Sequence, residues 1–233
     1  MRAVGSPFSN YLSSYTYGPP LRSSREGGTS ATEVAHVVIA FLVLTFDFVV
    51  LYGGLAVYDI GTELVLIAVA ATAALTGFVA HEMAHKVSAQ RRGYWAEFRL
   101  SVVGLIVSVI TAAIGYLFAA PGATMIGGDP DTDDMGRISL AGPATNFVFA
   151  IAFLAGAFLA GAFSDGAFLS AILLFLAYIS AWFAAFNMIP LGPLDGRKVY
   201  RWSGLVWAAC FVVFAVLAGV LFYIVNYAPL PSL

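Results

Sequence analysis

The chain has 233 residues, of which 61% are hydrophobic and 10% charged, whereas water-soluble domains carry about 25% charged residues. This composition excludes an ordinary soluble domain and points to a protein of the lipid bilayer. Eleven Lys and Arg against thirteen Asp and Glu give a formal net charge of -2, which supplies no basic field for nucleic acid and excludes it as a main partner.

Residues 1–33 are polar and rich in Pro, Gly and Ser, and lack the apolar stretch of a secretory signal, so they read as a flexible cytoplasmic tail. Six apolar runs follow, each near or above the roughly 20 residues that cross a bilayer. Basic residues stay on the cytoplasmic side of short loops. If all six runs crossed, Arg197, Lys198 and Arg201 would lie opposite Lys86, Arg91, Arg92 and Arg99. If one run enters and leaves on the same side, all eleven Lys and Arg share the cytoplasmic face. The expected fold is therefore an all-α polytopic membrane protein. Its five transmembrane helices lie near 34–58, 64–90, 138–163, 167–189 and 204–225, with a re-entrant segment over 97–126 and a short C-terminal tail over 226–233.

The first span carries His36 and, near its middle, Asp47, a lone carboxylate that at such depth must be paired, protonated or turned toward water. On the second span, Ala70, Ala74 and Gly77 form a small-residue stripe against which another helix can pack. The same face continues into His81-Glu82-Met83-Ala84-His85. The i, i+4 spacing stacks both imidazoles on one helical face with a carboxylate beside them, the geometry of a zinc site. Cys210 is the single cysteine, so a metal site must be built from His and carboxylate.

At the start of the re-entrant segment, Glu97 to Val102 alternate polar and apolar with period two, as a half-buried edge strand does. An interfacial stretch anchored by Tyr94, Trp95 and Phe98 is the alternative. An edge strand here would let Arg99 and Ser101 pair with an extended peptide. Asp129, Asp131 and Asp133 mimic the opening of a calcium loop, but Asp134 stands where Gly is required and Leu140 where Glu closes the loop, so a solvated acidic loop is expected. In the third span, Gly142-Pro143 interrupts the helical pattern and Asn146 follows one turn later, offering an amide to a substrate backbone, an oxyanion or a neighbouring helix.

Two histidines leave zinc short of a third protein ligand. After the fourth span comes Asn187-Met188-Ile189-Pro190-Leu191-Gly192-Pro193-Leu194-Asp195-Gly196, where two prolines end the helix, Gly196 permits a positive φ, and the turn can aim Asp195 back into the protein. With five spans Asp195 shares a membrane side with His85. With six spans the two would be a bilayer apart.

His81-Glu82-Met83-Ala84-His85, Gly142-Pro143-Ala144-Thr145-Asn146 and Pro193-Leu194-Asp195-Gly196, in this order on three successive spans, resemble the site-2 protease family of intramembrane zinc metalloproteases. The resemblance covers about Leu64 to Arg201. It implies one zinc ion per chain held by His81, His85 and Asp195, with Glu82 as catalytic base. It also implies that Asn146 lies near the scissile bond and that a membrane-embedded β element follows the second span. The substrate would be a transmembrane protein segment, cut near the cytoplasmic side of a cell membrane. Two alternatives from other classes use the same residues: a transporter with the His and Asp cluster as a proton or metal relay, and a catalytically silent membrane protein with a structural zinc site. A zincin acting on misfolded chains at the cytoplasmic surface is a further enzymatic alternative.

Overall fold

The computed structural model describes residues 28–53, 59–117, 121–163 and 166–227. Five of its helices are long and apolar enough to cross a membrane: α1 (Ala31–Leu51), α2 (Ile60–Arg91), α4 (Thr132–Gly161), α5 (Ala167–Asn187) and α7 (Gly204–Tyr227). Between α2 and α4 lie β1 (Trp95–Leu100), a short helix α3 (Val102–Ala113) and β2 (Gly122–Gly127). A second short helix, α6 (Asp195–Trp202), precedes α7.

Local capping explains where the helices start. The Ser30 hydroxyl accepts the Glu33 amide, so α1 begins at Ala31, three residues before the apolar run, and takes Glu33 out of the expected tail. The remainder of that tail up to residue 27, and residues 228–233 at the other end, lie outside the described residues. Asp131 likewise caps α4. The acidic cluster expected as a solvated loop is therefore a helix start: Asp133 accepts from Arg137 and from Trp202 Nε1, and Asp134 from the Tyr94 hydroxyl.

The segment after α2 is a hairpin closed by a sheet. β1 and β2 pair antiparallel with Glu97 opposite Met125 and Phe98 opposite Thr124, so the chain leaves the pair and returns to it. At about 1.5 Å per residue, the 12 residues of α3 reach only about 18 Å, too short for a hydrocarbon core of about 30 Å. The segment thus combines strands and a helix too short to cross.

One core lies among α1, α2 and α5, where Ala70, Ala73 and Ala74 pack with Leu44, Leu176 and Ile179. A β-carbon on Gly77 would lie 2.9 Å from the Phe183 ring, so the small stripe of α2 is where α5 makes its close approach. A second core joins α4, α5 and α7 through Ala150, Ala177, Ala181 and Phe214. Asp47 is fully buried on α1.

Two local expectations are revised. α4 runs through Pro143 without interruption, carrying Gly142 and Asn146 on one continuous helix. In the turn after α5, the positive φ belongs to Gly192 (+54°) rather than Gly196. Gly196 is required for a different reason: a β-carbon there would lie 2.1 Å from the Met188 carbonyl oxygen.

Candidate metal centre

Three helices bring the site together. His81 and His85 project from α2, Gly142 and Asn146 from α4, and Asp195 is the first residue of α6. α6 is held in place at both ends. At its start Gly196 sits against the Met188 backbone, whose carbonyl also accepts Trp207 Nε1 at 2.8 Å. At its end the Trp202 Nε1 donates to Asp133 on α4 at 2.6 Å.

His81 Nε2 and His85 Nε2 are 3.0 Å apart, and Asp195 Oδ2 is 3.2 Å from the first and 3.0 Å from the second. Zinc bonds of about 2.1 Å in tetrahedral geometry set ligand atoms roughly 3.4 Å apart, a few tenths of an ångström wider than this triangle. All three residues are buried, and among the described residues they form the group of His, Cys, Asp and Glu able to hold a metal ion. Gly142 provides a second indication of fit, because a β-carbon there would lie 2.4 Å from His85 Nε2 and 2.6 Å from His81 Nε2. The absence of a side chain keeps open the volume next to both donor atoms.

Both imidazoles have partners on their far nitrogens. His85 Nδ1 lies 2.8 Å from the Ile138 carbonyl of α4, so Nδ1–H donates and the Nε2 lone pair is left for a metal. His81 Nδ1 lies 3.1 Å from Asn146 Nδ2, which also lies 3.1 Å from the Gly77 carbonyl, while among the described residues the buried Asn146 Oδ1 meets no partner. Nδ2 thus faces two acceptors, the Gly77 carbonyl and His81 Nδ1, and its two N–H groups can serve both. Gly77 belongs to a π-helical turn, Leu75–Val79, immediately before the histidines.

Asp195 is ionised. Burial alone would raise its pKa, but the charge of His85 and the hydrogen bonds from both imidazoles hold the carboxyl well below the usual carboxylate range. Its other oxygen, Oδ1, lies 3.6 Å from Lys198 Nζ.

Glu82 is tied to the sheet. Its Oε2 accepts the Thr124 amide and lies within hydrogen-bond distance of the Thr124 hydroxyl, each at 2.8 Å. Thr124 carries no recognisable sequence signal, since a threonine in a short Gly- and Met-containing strand is ordinary. The Ile138 carbonyl is a backbone group and has no signature at all.

The structure thus brings His81, His85 and Asp195 together, with Glu82 adjoining them on α2. Asn146 is fully buried behind His81. Arg99 and Ser101 make their contacts elsewhere: Arg99 pairs with Ala123 across the sheet and with Glu97 through its side chain, whereas Ser101 caps α3 and donates its amide to Pro121.

Known proteins with similar sequences come from archaea and bacteria. "Putative zinc metalloprotease MJ0611" of Methanocaldococcus jannaschii is 35% identical over 181 residues, which is 77% of this chain and 88% of that protein. Rip3 of Mycobacterium tuberculosis, given the same designation, is 30% identical over 128 residues, 54% of this chain and 28% of Rip3. No family profile and no solved structure matches. At this identity over most of both sequences, the chain and the Methanocaldococcus protein share one family, and the chain belongs to the site-2 protease family of intramembrane zinc metalloproteases.

Proposed function

We propose that this protein is an intramembrane endopeptidase that hydrolyses peptide bonds of transmembrane substrate segments near the cytoplasmic side, with residues 34–225 as its catalytic domain. The observation that carries the reading is the triangle of His81 Nε2, His85 Nε2 and Asp195 Oδ2, built from segments 110 residues apart in sequence and adjoined by Glu82. His81, His85 and Asp195 would hold zinc. When bound there, zinc supplies Lewis acidity toward a water and the scissile carbonyl. Glu82 takes the proton of the attacking water and returns it to the leaving amine. Ile138 and Asn146 act one step back, fixing the ring orientation of His85 and His81.

A transmembrane helix satisfies its carbonyls internally and must unwind before one of them can be attacked. Strand pairing offsets that cost, and the hydrogen bonding of the sheet favours β2 as the strand that receives the peptide. Three outward groups of β1 are already engaged: Ala96 O with Gln90, Phe98 N with Glu33 and Leu100 N with His36. On β2, the outward amide of Thr124 is directed to Glu82, so the outer edge of β2 runs along the catalytic carboxylate. The rule that basic residues stay on the cytoplasmic side of short loops, applied to five spans, supports an N-terminus and an active site on that side.

The test uses protein purified in detergent, with zinc measured per chain and cleavage followed on a transmembrane test substrate. Glu82→Gln should keep zinc and lose about 10²- to 10⁴-fold in cleavage rate, while Asp195→Ala should lose zinc. Cleavage by zinc-free protein would overturn the proposal.

A further inference from the structure

The sheet is attached to the histidine-bearing helix at three points: Gln90 of α2 donates to the Ala96 carbonyl at the start of β1, and two further links face each other across the strand pair, only one of which involves the catalytic machinery. Phe98 and Thr124 lie directly opposite each other, and each sends its outward amide to a carboxylate. The Thr124 amide reaches Glu82 at 2.8 Å, and the Phe98 amide reaches Glu33 Oε1 at 2.9 Å. The second oxygen of Glu33 pairs with Lys86, whose ammonium also donates to Thr29 at 2.9 Å. Glu33 and Lys86 are 1% and 4% exposed, so neither is a surface ion. Glu82 and Lys86 stand one turn apart on α2, and each directly follows a histidine of the metal centre.

If β1 were tied to α2 only at its start, through Ala96 and Gln90, it could pivot about that point; tied also at its middle, through Phe98, Glu33 and Lys86, it cannot. Phe98 reinforces the second anchor by packing edge-on against Phe78 of α2, with ring centroids 5.6 Å apart.

We propose that Glu33 and Lys86 are positioning residues that set the cleavage register: by locking the sheet across α2 they determine which peptide bond of a β2-paired substrate comes to the metal centre. This inference rests on the proteolytic reading above. An extended chain advances about 3.4 Å per residue, so a swing of that size moves attack to a neighbouring bond.

The experiment compares cleavage products by mass spectrometry for the wild type and for Glu33→Leu/Lys86→Met, which removes both charges together and leaves no unpaired ion buried. The double variant should keep its zinc and shift cleavage from one dominant bond to neighbours one or two residues away. A purely structural role would lower the yield at every bond alike. An unchanged distribution of cut positions would therefore overturn the inference. If the double variant does not fold, Glu33→Gln decides: its amide keeps an acceptor for Phe98 but presents a donor to Lys86, so the link to α2 breaks and the same spreading is expected, with an unchanged distribution again overturning it. Wild-type protein that binds zinc but cleaves nothing would instead defeat the proteolytic reading itself.

Discussion

Gly142 and His85 approach each other so closely that a β-carbon on the glycine would lie 2.4 Å from the His85 Nε2. The contact exists because α4 runs unbroken past α2 and presents hydrogen where any other residue presents carbon. The open volume at the metal centre is thus a property of α4 as much as of the histidines.

Gly142→Ala should abolish stoichiometric zinc binding, with an affinity loss exceeding the roughly 10- to 100-fold seen when an outer partner of a ligand is removed. Chelator competition on purified protein measures this. Zinc affinity equal to wild type would show that the methyl group and the ion do not compete for the same space.

The orientation of His81 depends on one amide. Asn146→Leu removes the group beside Nδ1 at nearly constant volume and should weaken zinc binding by about 10- to 100-fold. Zinc affinity equal to wild type in this variant would separate Asn146 from the metal centre.

Thr124 gives Glu82 both an amide and a hydroxyl. Thr124→Val deletes only the hydroxyl, and a hydrogen bond to a charged group contributes about 1.5–3 kcal/mol. Cleavage should fall by roughly 10- to 100-fold at unchanged zinc content, read as kcat on the test substrate. A wild-type rate would assign the positioning of Glu82 to the amide alone.

Asp195 should not limit zinc binding as pH falls through the usual carboxylate range. Its histidine neighbours hold the carboxyl below its ordinary value, so the ionised form persists and is lost only below that range. Competition titrations that show zinc affinity falling as Asp195 takes up a proton near its unperturbed value would contradict this.

Much of this protein follows from local sequence. Five spans are legible because burial in hydrocarbon selects for about 20 apolar residues at a time, and the pairing of His81 with His85 is legible because four residues make one helical turn. The expectation of a non-crossing segment follows from the distribution of basic residues, and the strand within it from a six-residue alternation. The single-sided placement of Asp195 was open to the same reasoning.

Other features were decided only when the helices assembled. The Ile138 carbonyl became a partner of His85 because α4 crosses α2 at that height, and any residue type could have supplied that oxygen. Thr124 met Glu82 because β1 and β2 pair in one register, and Glu33 met Lys86 across 53 residues because α1 packs against the sheet. Asn146 met His81 and the Gly77 carbonyl because α4 is continuous through Pro143. Sequence periodicity determines which face of each element is buried. Which buried backbone and side-chain groups then satisfy one another depends on distances between elements that are remote along the chain.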